Sequence, residues 1–125
     1  MIIYGTTTAN SGDILVIKTS ADGQTIDWRY TLGNASAADA VYGAVANADE
    51  DAVYLVGSTP SGGTQDVLVA KIWATSGTVA WQRTYGTAGA DEVGYSAAVA
   101  SSGTLAVLAG QGPRAGAVRA TSLVM

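Results

Sequence analysis

The sequence predicts an all-β fold of short antiparallel strands organised as a repeat. Three observations carry that expectation. Landmark residues recur along the 125-residue chain at a spacing of 52–53. Between turn residues lie strand-length runs of β-branched, aromatic and small apolar residues. No window shows the three-and-four spacing of apolar residues that a helix needs.

The recurrence is read directly from the residues. Residues 12–18 are GDILVIK and residues 65–71 are QDVLVAK, so Asp13 and Asp66, like Lys18 and Lys71, stand 53 apart. Trp28 and Trp81 share that spacing of 53. Gly5, Gly57 and Gly110 close the runs IIYG, VYLVG and AVLAG at spacings of 52 and 53, and Asp39 precedes Asp91 by 52.

Each period then resolves into four strands. VYGAVAN (41–47) and YSAAVAS (95–101) are short runs of small apolar residues. DAVYLVG (51–57) and TLAVLAG (104–110) are apolar and end on Gly. DILVIKTS (13–20) and DVLVAKIWA (66–74) mix β-branched residues with an outward Lys, and TIDWRYTLG (25–33) and VAWQRTYG (79–86) alternate aromatic with polar positions. The connectors NADED, SSG, TPSGGTQ, TSADGQ and ATSG carry the residues that turns require. Four short strands per period is the pattern of a propeller blade.

The expected architecture is therefore a partial β-propeller of about two and a half four-stranded antiparallel blades. The incomplete first blade covers 1–40, the complete one 41–86 and an incomplete third 93–125. With strands lettered A to D from the innermost, the chain opens on B, and the tail AGAVRATSLVM supplies strand C of the last blade without the D-x-L-V-x-K pattern. A closed ring takes roughly four to eight blades. The rest of a longer propeller, or copies of this chain, is expected to close it, and unpaired strand edges invite such pairing.

Composition excludes several function classes. His and Cys are absent, which removes Ser–His–Asp and Cys–His nucleophiles, imidazole and thiolate metal sites, and disulfides. A net charge of −4 does not suit a nucleic-acid surface. No apolar run approaches the roughly 20 residues of a membrane-spanning helix. The opening MIIYGTTTANSGD has neither the basic start nor the apolar core of a signal peptide.

Few residues are candidates for chemistry. Asp39 and Asp91 precede innermost strands, near the expected mouth of a central channel, where carboxylates can hold a cation or substrate. A residue repeated in every blade more often serves the corner, accepting backbone N–H bonds. Asn47, Asp49 and Asp51, with Glu50, gather oxygen-bearing side chains that suit calcium. They lack the spacing of a calcium loop, and a solvated hairpin turn is the favoured reading. Lys18 and Lys71 are expected to be solvated strand lysines. Trp28, Trp73 and Trp81 suggest a sugar-stacking platform, yet two of them recur at the blade period, which points to packing between blades. Trp73 has no counterpart in the first copy and is the best candidate for a ligand contact of its own. TPSGGTQ lacks the phosphate-binding Lys and following helix of a nucleotide cradle, and reads as a loop.

The order G-S-T, D-V-L-V-A-K, G-x-x-x-W-x-x-x-Y-G and A-D-E resembles the SBBP-type β-propeller repeat. Gly57, Thr59, Asp66, Val69, Lys71, Gly77, Trp81, Tyr85, Gly86 and Asp91 carry the resemblance in the second copy. Gly5, Thr7, Asp13, Val16, Lys18, Gly23, Trp28, Gly33 and Asp39 carry it in the first, which departs at Leu32. The third keeps little beyond Gly110, with Pro113, Arg114 and Arg119 where the acidic turn and strand belong. The resemblance implies a propeller drawn from a larger protein, extracellular or on a cell surface. It implies no reaction. The expected function is a non-enzymatic scaffold, structural or binding protein or glycan. The alternatives are a calcium-stabilised extracellular module and a hydrolase or lyase using Asp39 and Asp91 as acid and base.

Overall fold

A computed structural model describes residues 1–7, 12–33, 38–111 and 120–124. Pro113, Arg114 and Arg119 lie outside the described residues. The described chain forms ten strands: β1 (Ile2–Thr6), β2 (Ile14–Thr19), β3 (Ile26–Leu32), β4 (Ala40–Ala46), β5 (Ala52–Ser61), β6 (Thr64–Trp73), β7 (Val79–Tyr85), β8 (Glu92–Val99), β9 (Leu105–Gln111) and β10 (Ala120–Val124). They make three antiparallel sheets of consecutive strands: β1-β2-β3, β4-β5-β6-β7 and β8-β9-β10.

Strand alternation decides how the sheets meet. Ile14, Val16 and Leu32 of the first sheet pack against Val53, Leu55, Leu68, Ala70 and Ile72 of the middle sheet. The intervening residues of those same middle strands, Ala52, Tyr54, Val56, Val67 and Val69, pack against Leu105, Val107 and Ala109 of the third. β5 and β6 are thus buried on both faces, which is why DAVYLVG and DVLVAKIW are nearly continuous apolar runs. Complete burial of each Val, Leu or Ile side chain among these contributes about 1.5–3 kcal/mol. Most of the stability therefore sits in the middle sheet.

The repeat seen in sequence is also a repeat of hydrogen-bond register. A bulge after Lys18 sets Lys18 opposite Trp28 and Thr19 opposite Ile26. The same bulge follows Lys71, with Lys71 opposite Trp81 and Ile72 opposite Val79. Between β4 and β5 the ladder passes over Tyr42, and between β8 and β9 it passes over Tyr95. Val41 pairs with Gly57, and Gly94 pairs with Ala109. Ala109, not Gly110, is therefore the structural counterpart of Gly57. The hairpin explains the offset: Asn47 N–H closes on Ala52 O in the middle sheet, whereas Ala100 N–H closes on Thr104 O in the third. One residue fewer in that turn shifts β9 by one position. It thereby aims Leu105 and Val107 at the core, as Val53 and Leu55 are aimed.

The segment 59–65 departs from its loop reading. β5 and β6 stay paired out to Ser61 opposite Thr64. Gly62 and Gly63 both adopt positive φ, 57° and 92°, and a two-residue turn of that kind matches the twist of the strands it joins.

Candidate functional site

The corners between sheets take up the carboxylates that recur in the motif. Asp13 immediately precedes β2, and a Cβ added at Gly33 would lie 2.5 Å from Asp13 Oδ1 and 2.7 Å from Asp39 Oδ2. The second copy repeats the first of these contacts: a Cβ at Gly86 would lie 2.1 Å from Asp66 Oδ1. The D…G spacing of the motif is therefore a packing requirement, since a side chain just after β3 or β7 would displace the carboxylate at the beginning of the strand before it. Asp39 is buried, at 3% exposure, and its N–H donates to Gly12 O at 2.8 Å. Asp91 Oδ1 accepts the Gln65 N–H at 2.9 Å. Asp39 engages the approach to β2 and Asp91 the beginning of β6, equivalent places in the repeat because Gly12 and Gln65 stand 53 apart. Sequence reasoning paired Asp39 with Asp91; the carboxylate beside Asp39 at Gly33 is that of Asp13.

The Asn47–Asp51 turn satisfies itself. Asn47 Oδ1 accepts the N–H groups of Asp51 and Ala52 at 3.0 and 3.1 Å, and Asn47 Nδ2 donates to Asp51 Oδ1. Glu50 holds a positive φ of 56° and its N–H closes on Asn47 O. Asp49 is exposed on the tip. Among the described residues, no three His, Cys, Asp or Glu side chains gather closely enough to hold a metal ion.

The tryptophans and lysines form the most organised polar–aromatic feature of the molecule. Trp28 packs against the core between the first and middle sheets, and Trp81 against the core between the middle and third. Trp28 Nε1 donates to Ala74 O at 2.8 Å, and Lys18 Nζ donates to the same oxygen at 3.0 Å. Lys18, expected to be solvated, thus spans two sheets, and its ammonium also lies 3.9 Å from Asp27 Oδ2 at the surface. Register explains the departure: Lys18 and Trp28 are direct cross-strand partners and so share a face, and alternation from Ile14 and Val16 puts Lys18 on the face that packs against the middle sheet.

Lys71 and Trp81 hold the same cross-strand positions one repeat later. The Lys71 ammonium lies 4.3 Å over the Trp73 ring and 5.7 Å from the Tyr54 ring, while Arg83 stacks 4.8 Å over Trp81. Tyr54 and Trp81 are themselves in tilted contact at 6.1 Å. Trp73 is 40% exposed. The result is a shelf of three rings and two cations on the outer part of the middle sheet. Tyr54 and Arg83 went unnoticed in the sequence; the Tyr54–Lys71 cross-strand pairing, invisible without register, is the signal that brings them in. A second aromatic contact joins the two bulge residues, Tyr42 and Tyr95, at 5.9 Å, where β4 meets β8.

A scan against protein-family models matches none of them, and a search of curated proteins finds no significant relative.

Proposed function

We propose that this chain is a non-enzymatic β-propeller repeat segment of the SBBP type, a scaffold that presents its sheets to protein or glycan partners. The observation that carries the reading is the recurrence of register. Bulges, cross-strand Lys–Trp pairs and Asp–Gly contacts return from sheet to sheet at 52–53 residues, as they must when one unit is stacked repeatedly in one direction. The surfaces at the end of the stack support it further. Val53 and Leu55 are buried at 2% and 1% against the first sheet. By register, Met1 and Ile3 occupy those positions in the first sheet, and they are 54% and 44% exposed. Ile26, the counterpart of Val79, is 58% exposed. An apolar face of that composition is built to receive another sheet.

The carboxylates do not favour an enzyme. Asp91 is held by a backbone N–H, as a corner residue is, and Asp39 lies buried among its own corner. The resemblance is also the ground for proposing an extracellular or cell-surface setting.

A lengthened chain tests the repeat. A chain carrying a second tandem copy of residues 40–92 gains one sheet and one interface, so it is expected to melt at a higher temperature in a single transition. An unchanged melting temperature, or two separate transitions, would show that the sheets are not units of one continuous stack.

A further inference from the structure

We propose that Lys71 and Trp81 form a docking site for the turn carbonyl of an incoming β-strand, which adds to the free edge of β10 as a fourth strand of the third sheet. The proposal rests on the reading of the sheets as successive units of one repeat, and names the chemistry of the partner that the reading calls for.

The first and middle sheets show what such a site does when filled. Lys18 and Trp28 face each other across β2 and β3 and converge on one oxygen, Ala74 O, at 3.0 and 2.8 Å. That oxygen belongs to the turn leading from β6 into β7. The turn lies flat on the indole: a Cβ at Gly77 would come within 2.7 Å of Trp28 Cδ2. Two donors, a ring face and a glycine together recognise a tight hairpin.

Lys71 and Trp81 face each other in the same register across β6 and β7, and both are half-buried. Among the described residues neither donates to an acceptor: the ammonium rests on the rings of Trp73 and Tyr54. A partly desolvated ammonium and indole N–H gain most from an oxygen placed between them. The third sheet packs on this face through β8 and β9, and β10 is its outer edge. Its open N–H and C=O groups are a pairing surface. A strand there, entering through a turn like that of Ala74–Gly77, brings its carbonyl over Lys71 and Trp81. The partner is therefore an extended segment opening on a tight turn, with Gly three residues after the docking carbonyl and an alternating aromatic strand behind it.

The probe is an acetylated, dye-labelled peptide of residues 74–86, which carries that turn and strand, titrated against the intact chain by fluorescence anisotropy. Binding is expected. The double variant Lys71→Met, Trp81→Phe keeps the packing and removes both donors, and should weaken binding by about tenfold or more. A peptide with Gly77→Val should bind no better than a scrambled one. The matching variant Lys18→Met, Trp28→Phe should leave peptide affinity unchanged while lowering the melting temperature, because its donors are already used within the chain. No binding by the wild-type chain, or equal binding by the Lys71→Met, Trp81→Phe variant, overturns the proposal. Because the lengthened chain reads stacking and the peptide reads this site, the two can fail separately.

Discussion

Gly57→Ala is the substitution whose cost follows most directly from the repeat. A Cβ at position 57 would stand 1.8 Å from Ala40 O, 2.8 Å from Ala40 C and 2.9 Å from Val41 Cα. All three are backbone atoms, so no rotamer change relieves the overlap. Ordinary contact distance is roughly 3.5 Å, and β4 must retreat by more than an ångström at the point where it is bulged against β5. Overpacking of this kind costs about 1–3 kcal/mol, and each ladder hydrogen bond opened adds about 1 kcal/mol. We expect a loss of about 3 kcal/mol. Gly5 holds the same register position in the first sheet, where a Cβ would meet nothing within 4 Å. Gly5→Ala is therefore expected to be neutral, or stabilising by a few tenths of a kcal/mol through the unfolded chain. Equilibrium urea unfolding of both variants, with m-values compared, measures the difference. If Gly57→Ala unfolds within about 0.5 kcal/mol of the parent, the close approach of β4 to β5, and the reasoning built on it, is refuted.

Other consequences are open to the same kind of measurement. Leu55→Ala, at a side chain buried to 1%, should cost about 2–5 kcal/mol, whereas Ile3→Ala, at the corresponding but exposed position, should cost less than about 1 kcal/mol; equal losses would mean that the first sheet is covered in solution. Calcium should not raise the melting temperature, because Asn47 Oδ1 is committed to two backbone N–H groups, and a dose-dependent rise would reinstate the calcium-stabilised module. Asp22 is held below its ordinary pKa, first by the Ser20 hydroxyl and then by the Gln24 N–H. A lowered folded-state pKa contributes stability that is present above the unfolded value and lost as pH falls through the folded one, so the effect is confined to acid below about pH 4. Ser20→Ala should raise the Asp22 pKa in an NMR titration of its carboxyl carbon; an unmoved titration would show that the Ser20 hydrogen bond does not form in solution.

The strands were legible because local pattern and burial agree. β5 and β6 read as unbroken apolar runs, and each is sandwiched between two sheets; β3 and β7 read as alternating, and each is an outer strand with one wet face. The recurrence of Trp28 and Trp81 was rightly expected to reflect packing between sheets. What could not be read was register. The matched glycines suggested Gly110 as the partner of Gly57, but glycine marks a strand end without saying which residue faces which. A turn shorter by one residue moved the correspondence to Ala109. The same blindness hid the joint grip of Lys18 and Trp28 on Ala74, which depends on their being direct cross-strand partners. The segment 59–65 was misread because its Gly, Ser and Pro signal a break in strand, whereas two consecutive positive-φ glycines make the tightest of hairpins and let the ladder run on.

The middle sheet is covered on both faces, by the first sheet on one side and the third on the other. Residue-resolved amide hydrogen exchange on the intact chain tests that coverage most directly. The amides of β5 and β6 are expected to exchange most slowly, near the limit of global unfolding, and those of β1, whose Ile3 and Tyr4 are exposed, by local opening. Exchange from β5 and β6 as fast as from β1 would contradict it.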